Sequence, residues 1–188
     1  MPAALEQHAR ATAEFSSRVH AVKPGQWADP TPCPDWDVRA LVNHLVYEQL
    51  WVPPLMNGAT IADVGDALDG DLLGDDPVAA WDAAAAAASE AIGAAGALDR
   101  VVHLSYADVP GEVYAWQLIG DLAVHAWDLA QAIGADPTID ERLAAAVIVK
   151  LTPDIETFAQ YGLFAPALPV AEGAPAQAQL LALTGRRT

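Results

Sequence analysis

Between the Pro110-Gly111 turn and Gly134 runs EVYAWQLIGDLAVHAWDLAQAI, a long stretch without an internal proline. Wound as a helix from about Glu112 to Ile133, it turns Leu118, Ile119, Leu122, Val124, Ala126, Trp127 and Leu129 toward nearly every side. A helix that is apolar all round has to be enclosed by other elements, because no face of it suits water. The chain must therefore supply a shell of partners around this segment, and the rest of the sequence offers helices for the purpose.

Four further helical segments follow from apolar periodicity and end signals. The first spans about Ala3 to Val22, with Leu5, Ala9, Ala13 and Phe15 as its expected inner face and Pro24-Gly25 as its stop. A second, carrying Val38, Leu41, Val42, Leu45 and Val46, follows the turn DPTPCPD with Asp35 as the expected N-cap and ends before Pro53-Pro54. Residues 57–76, rich in Gly and Asp, read as a surface loop. A third helix, from about Pro77 to Ala95, contains the alanine run 83–88. RVVHLSYADVPG then reads as an extended connection. The last helix should run from Ile139 or Asp140 to Tyr161, kinked or split at Pro153, before a Pro- and Ala-rich tail and a final turn, AQAQLLALTG. The expected architecture is all-α, a single bundle domain over residues 1–188.

Of the 188 residues, 53% are hydrophobic and 18% charged, which suits a packed domain rather than a disordered chain. With 25 acidic against 9 basic residues the formal charge is −16, the wrong sign for nucleic acid or an anionic membrane. No apolar run approaches the ~18 residues that span a bilayer. A lone cysteine and an N-terminal stretch without a signal-peptide pattern point to the cytoplasm.

Gln117, Asp121, His125 and Asp128 fall within an arc of roughly 80° on the apolar helix. They are either an ordinary charge pair on a solvent strip or half of a metal site, since D-x-x-x-H lets one carboxylate and one imidazole meet an ion a turn apart. Among the other histidines, His8 and His20 read as surface residues, and His103 could line a pocket. His44, in DVRALVNHLVYEQ, borders a buried face, with Glu48 one turn on. Cys33 precedes a helix N-terminus, but flanking prolines suggest a packed turn residue. Trp36 and Trp127 are expected to pack the bundle. No strong basic cluster offers to grip an anionic substrate; Arg39 and Arg100 are the nearest candidates in sequence, and both also read as surface residues.

Taken together, TPCPDWDVRALVNHLV, DLAVHAWDLAQAIG and LLALTGRR resemble an actinobacterial metal-binding family of the DinB-like superfamily, related to the mycothiol-dependent maleylpyruvate isomerases. The resemblance implies a four-helix bundle with an additional short helix and an extended C-terminal tail. It also implies a divalent ion held by His44, Asp121 and His125, with Gln117, Asp128 and Glu48 as surrounding or pocket groups. In the isomerases the acidic ligand is Glu, where this chain has Asp121. The isomerases also carry a C-terminal domain beyond the bundle.

Two imidazoles and a carboxylate suit Zn²⁺ first, and accept Ni²⁺ or Fe²⁺. Three protein ligands leave coordination positions open, as in catalytic rather than structural sites. The expected function is a metal-dependent transferase or isomerase that uses a low-molecular-weight thiol such as mycothiol on a small substrate. The alternatives are a bundle that binds metal or ligand without turnover, and a metal-assisted hydrolase with Asp128 or Glu48 as base. A homodimer is compatible with the Ala-rich helices.

Overall fold

The computed structural model describes residues 2–160 and 164–187. Four long helices make the bundle: α1 (Ala3–Val19), α2 (Val38–Met56), α4 (Pro77–Gly93) and α5 (Gly111–Ile133). A short α3 (Ile61–Val64) precedes α4, and the small strands β1 (Val101–His103) and β2 (Asp108–Pro110) precede α5. After α5 come α6 (Glu141–Leu151), α7 (Ile155–Gln160) and α8 (Ala176–Leu183). Helix α1 packs on α5 and α4, and α2 packs on α4 and α5, so the four close a ring. Helix α6 covers α5 and is itself covered by α8. The all-α bundle expected from the sequence is present, with one two-stranded hairpin added.

Helix α5 is enclosed as its composition requires, with Leu118, Ile119, Leu122, Ala123, Val124, Ala126, Leu129 and Ala130 all buried. Its first residue, Gly111, is pressed so closely on the preceding turn that a Cβ there would stand 2.2 Å from the Ala97 carbonyl oxygen. Farther along, Gly120 lets the Leu151 side chain of α6 come close, within 3.0 Å of where a Cβ would be.

Several boundaries differ from expectation. On α1 the buried face is Ala4, His8, Ala11, Phe15 and Val19, while Ala9 and Ala13 face solvent. Alanine fits either side, and the stripe that carries Phe15 and Val19 buries more apolar surface. His8 is therefore buried and not a surface residue. The N-cap of α2 is Asp37, not Asp35; its carboxylate accepts from the Ala40 amide at 2.8 Å. Helix α2 also continues through Pro53 and Pro54 to Met56, because Val52, Leu55 and Met56 pack with Ile92 and Leu118. Packing in that last turn outweighs the lost backbone bonds.

Segment 57–76 contains α3, closed by reciprocal Thr60–Asp63 bonds, and is tied to α2. Asn43 accepts from the Leu72 amide at 2.8 Å and donates to the Gly70 carbonyl at 3.1 Å, while Arg39 pairs with Asp71 at 2.7 Å. The connection after α4 is a hairpin in which Val102 faces Val109 and His103 faces Asp108. Pro153 splits the last long helix, as expected, into α6, a 3₁₀ turn Thr152–Asp154 and α7; the expected end at Tyr161 lies outside the described residues. Among the described residues, no helix is long and apolar enough to cross a membrane.

Candidate metal centre and its cavity

The polar line on α5 is not a solvent strip. His125 is 5% exposed and Asp128 0%, and Asp121 and Gln117 are half-buried. All but Asp128 line a cavity of about 830 Å³ that also takes in His44 and Glu48 from α2. The turn before α2 adds Cys33, Asp35 and Trp36, and the segment after α8 adds Arg186 and Arg187. No residue of segment 57–76 is among the lining groups.

Two imidazoles converge on one carboxylate. His44 Nε2 lies 3.2 Å from Asp121 Oδ2, and His125 Nε2 lies 3.3 Å from Asp121 Oδ1. Donor atoms of these three side chains all lie within 4.8 Å of one another. Ligand atoms set about 2.0–2.1 Å from a tetrahedral ion stand about 3.3 Å apart, so the spacing and the donor chemistry both suit a divalent metal. Burial works against ionising Asp121, but the His125 and His44 imidazoles outweigh it and hold the carboxyl well below the usual range.

The far nitrogen of His125 is also held. Its Nδ1 lies 2.9 Å from Asp128 Oδ2, and the same oxygen accepts from Arg186 Nη2 at 2.9 Å. The Cys33 thiol donates to Asp128 at 3.4 Å and lies 4.0 Å from His125 Nδ1 and 3.8 Å from Arg186 Nη2. Burial pushes the Asp128 carboxyl up, but the His125 hydrogen bond and the Arg186 charge prevail and lower it. For His125, burial disfavours the charged form, yet the Asp121 carboxylate and the bonds to Asp128 and Cys33 raise its pKa. Glu48 is different. Burial, and then the charge of Asp121, push its carboxyl up to about 7.

Aromatic groups wall the site. The Trp36 ring centre lies 4.7 Å from that of His44 and 5.6 Å from that of His125, so the indole packs on both imidazoles. Trp127, Tyr114, Leu118, Leu151 and Phe164 complete the apolar lining. Gln117 donates to the Tyr106 hydroxyl at the hairpin tip.

The structure thus brings together His44, Asp121, His125, Asp128, Gln117 and Glu48, and excludes others. His103 pairs with Asp108 at 2.7 Å on the hairpin, outside the cavity lining. His20 is exposed, as expected, beside Asp82. Arg39 serves the 57–76 segment, and Arg100 donates to the Met56 and Ala95 carbonyls. Four residues go beyond what the sequence suggested. Cys33 belongs to the site rather than to turn packing alone, Trp36 and Trp127 line the cavity besides packing the bundle, and Arg186, not Arg39 or Arg100, brings a guanidinium to the cavity, where it pairs with Asp128. Only the paired arginines after a final helix hinted at the last.

A family model described as the mycothiol maleylpyruvate isomerase N-terminal domain matches residues 8–130. The chain belongs to that family. The matched span holds every site residue named above except those contributed after α5, Arg186 among them. Two curated relatives of this chain are uncharacterised proteins from two strains of Mycobacterium tuberculosis. Each is 34% identical over 151 residues, covering 76% of this chain and 76% of the relative. A crystal structure of the mycothiol-dependent maleylpyruvate isomerase superposes with a TM-score of 0.65 at 16% identity, over 86% of this chain and 73% of that one. At that identity the likeness speaks to the fold alone, the all-α helical bundle.

Proposed function

We propose that this protein holds a divalent metal through His44, Asp121 and His125 and uses it, with a low-molecular-weight thiol of the mycothiol type, to transform a small electrophile. The observation that carries the reading is the convergence of two imidazole nitrogens and one carboxylate at the wall of an open cavity of about 830 Å³. That volume lies within the range of small-molecule sites, roughly 300–1,000 Å³. Membership of a family named for a mycothiol-dependent isomerase supports the thiol.

When bound, such an ion lowers the pKa of a thiol or water and holds the anion that results. The protein's own groups prepare the rest. Asp128 accepts from His125 Nδ1 and so leaves Nε2 with a lone pair for the metal. Arg186 offsets the charge of Asp128 in a buried setting. Trp36, Leu118, Trp127 and Phe164 exclude water and leave room for a thiol and its acceptor together. Zn²⁺ is the metal we assign first, and Ni²⁺ and Fe²⁺ suit the same donors.

Metal analysis of untagged protein, beside the His44→Ala, Asp121→Ala and His125→Ala variants, tests this. The reading expects about one ion per chain, lost in each variant while helicity is retained. Wild-type protein that takes up no ion when metal is supplied would sink it.

A further inference from the structure

Glu48 follows His44 by one turn of α2 and lines the cavity beside Tyr114, Asp121 and His125 of α5. The α5 carboxylates are engaged: Asp121 with both imidazoles, Asp128 with His125 and Arg186. Glu48 is half-buried, yet among the described residues it makes no hydrogen bond or ion pair. It also belongs to neither group of converging donors, His44–Asp121–His125 or Cys33–His125–Asp128. A carboxylate withdrawn from water with no partner is costly unless it can become neutral. Its position therefore suits proton exchange with whatever enters the cavity, rather than metal ligation.

We infer that Glu48 takes the proton that the thiol gives up on entering the cavity. The inference rests on the thiol reading above. In this step the S–H bond breaks, its electron pair stays on sulfur, and the proton bonds to a Glu48 carboxylate oxygen. One thiolate is gained and one carboxylate lost, so the net charge of the cavity is unchanged. That balance matters in a site already holding Asp121 and Asp128. The proton remains within the cavity and is available to the substrate once sulfur has added to it. The titratable groups facing Glu48 are His44 on its own helix and Tyr114, Asp121 and His125 on α5.

The test is a proton inventory on the zinc-loaded full chain with mycothiol as probe. Binding heats near pH 7, where a free thiol is almost wholly protonated, are compared in buffers of different ionisation enthalpy. Near pH 7 about half of the Glu48 carboxyls are ionised and free to take the proton, so wild-type protein should release about half a proton to buffer and Glu48→Gln about one per thiol bound. Glu48→Asp, which keeps a carboxyl, should behave as wild type and covers the case in which Glu48→Gln folds poorly. Release of one proton by wild-type protein would overturn the role of Glu48 and leave the thiol reading intact. Loss of zinc from Glu48→Gln with helicity retained would make Glu48 a ligand and also overturn it. Zinc-loaded wild-type protein that binds no mycothiol would remove the thiol reading itself.

Discussion

His125 Nδ1 lies 2.9 Å from Asp128 Oδ2, with the histidine 5% exposed and the aspartate fully buried. The pair fixes which imidazole nitrogen carries hydrogen and turns the other toward His44 and Asp121. Replacing Asp128 by Asn keeps the shape and lets an amide NH₂ compete for the wrong tautomer. The expected result is a 10–100-fold loss of zinc affinity, the usual effect of removing such a partner. Competition with a chromophoric chelator measures it, and circular dichroism should show unchanged helicity.

Arg186→Leu removes the guanidinium that shares Asp128. Asp128 keeps its His125 and Cys33 partners, so the loss falls short of that for a stranded buried charge and is about 1–3 kcal/mol. Urea unfolding should show that loss for Arg186→Leu. Arg187→Leu, at an exposed neighbour, should stay within about 0.5 kcal/mol of wild type.

His8 makes stability depend on pH. Burial lowers its pKa to about 4, and its Nε2 has no hydrogen-bond partner among the described residues. The unfolded chain, with an ordinary histidine near 6.5, binds the proton first as pH falls. Stability is therefore lost from about pH 6.5 downward, and the loss is complete below about pH 4. Between pH 7 and pH 5 the contribution is about 2 kcal/mol. His8→Leu should flatten that part of the urea-midpoint profile, and an unchanged profile would count against the burial of His8.

Gly111→Ala would drive a methyl group to 2.2 Å from the Ala97 carbonyl oxygen at the start of α5. Backbone rather than a flexible side chain has to move, so a destabilisation of about 2 kcal/mol is expected in thermal or urea unfolding. Gly25→Ala, where a Cβ meets nothing within 4 Å, serves as the comparison.

The central line of the site was legible because α5 writes it locally. Gln117, Asp121, His125 and Asp128 follow one another at helical spacing inside an otherwise apolar segment. His44 and Glu48 were legible for the same reason on α2. Cys33 and Arg186 were not, because their tie to Asp128 spans 95 and 58 positions and leaves no periodic trace. The fold class followed from the all-round apolarity of α5, whereas the inner face of α1 did not. Alanines on several sides of α1 made two faces nearly equivalent, and only packing against α5 and α4 selected the one with His8. The continuation of α2 through Pro53 and Pro54 has the same origin, since local chemistry favoured a stop and the neighbouring Ile92 and Leu118 favoured continuation.

Cys33 and Arg186 meet beside His125 across 153 positions of sequence, so the first turn of the site and its last cation are made far apart in time. On a ribosome the chain emerges from its N-terminus, and His44, Asp121 and His125 are all available long before residue 186 is made. A nascent or truncated chain can thus gather its three converging donors while Asp128 still lacks its guanidinium. Arg186 acts as a latch that closes only once the segment after α8 has been made. Loop closure of this length adds little to the entropic cost. What it adds is order in time: the imidazole can be gathered early, and its orientation is secured once residue 186 has emerged.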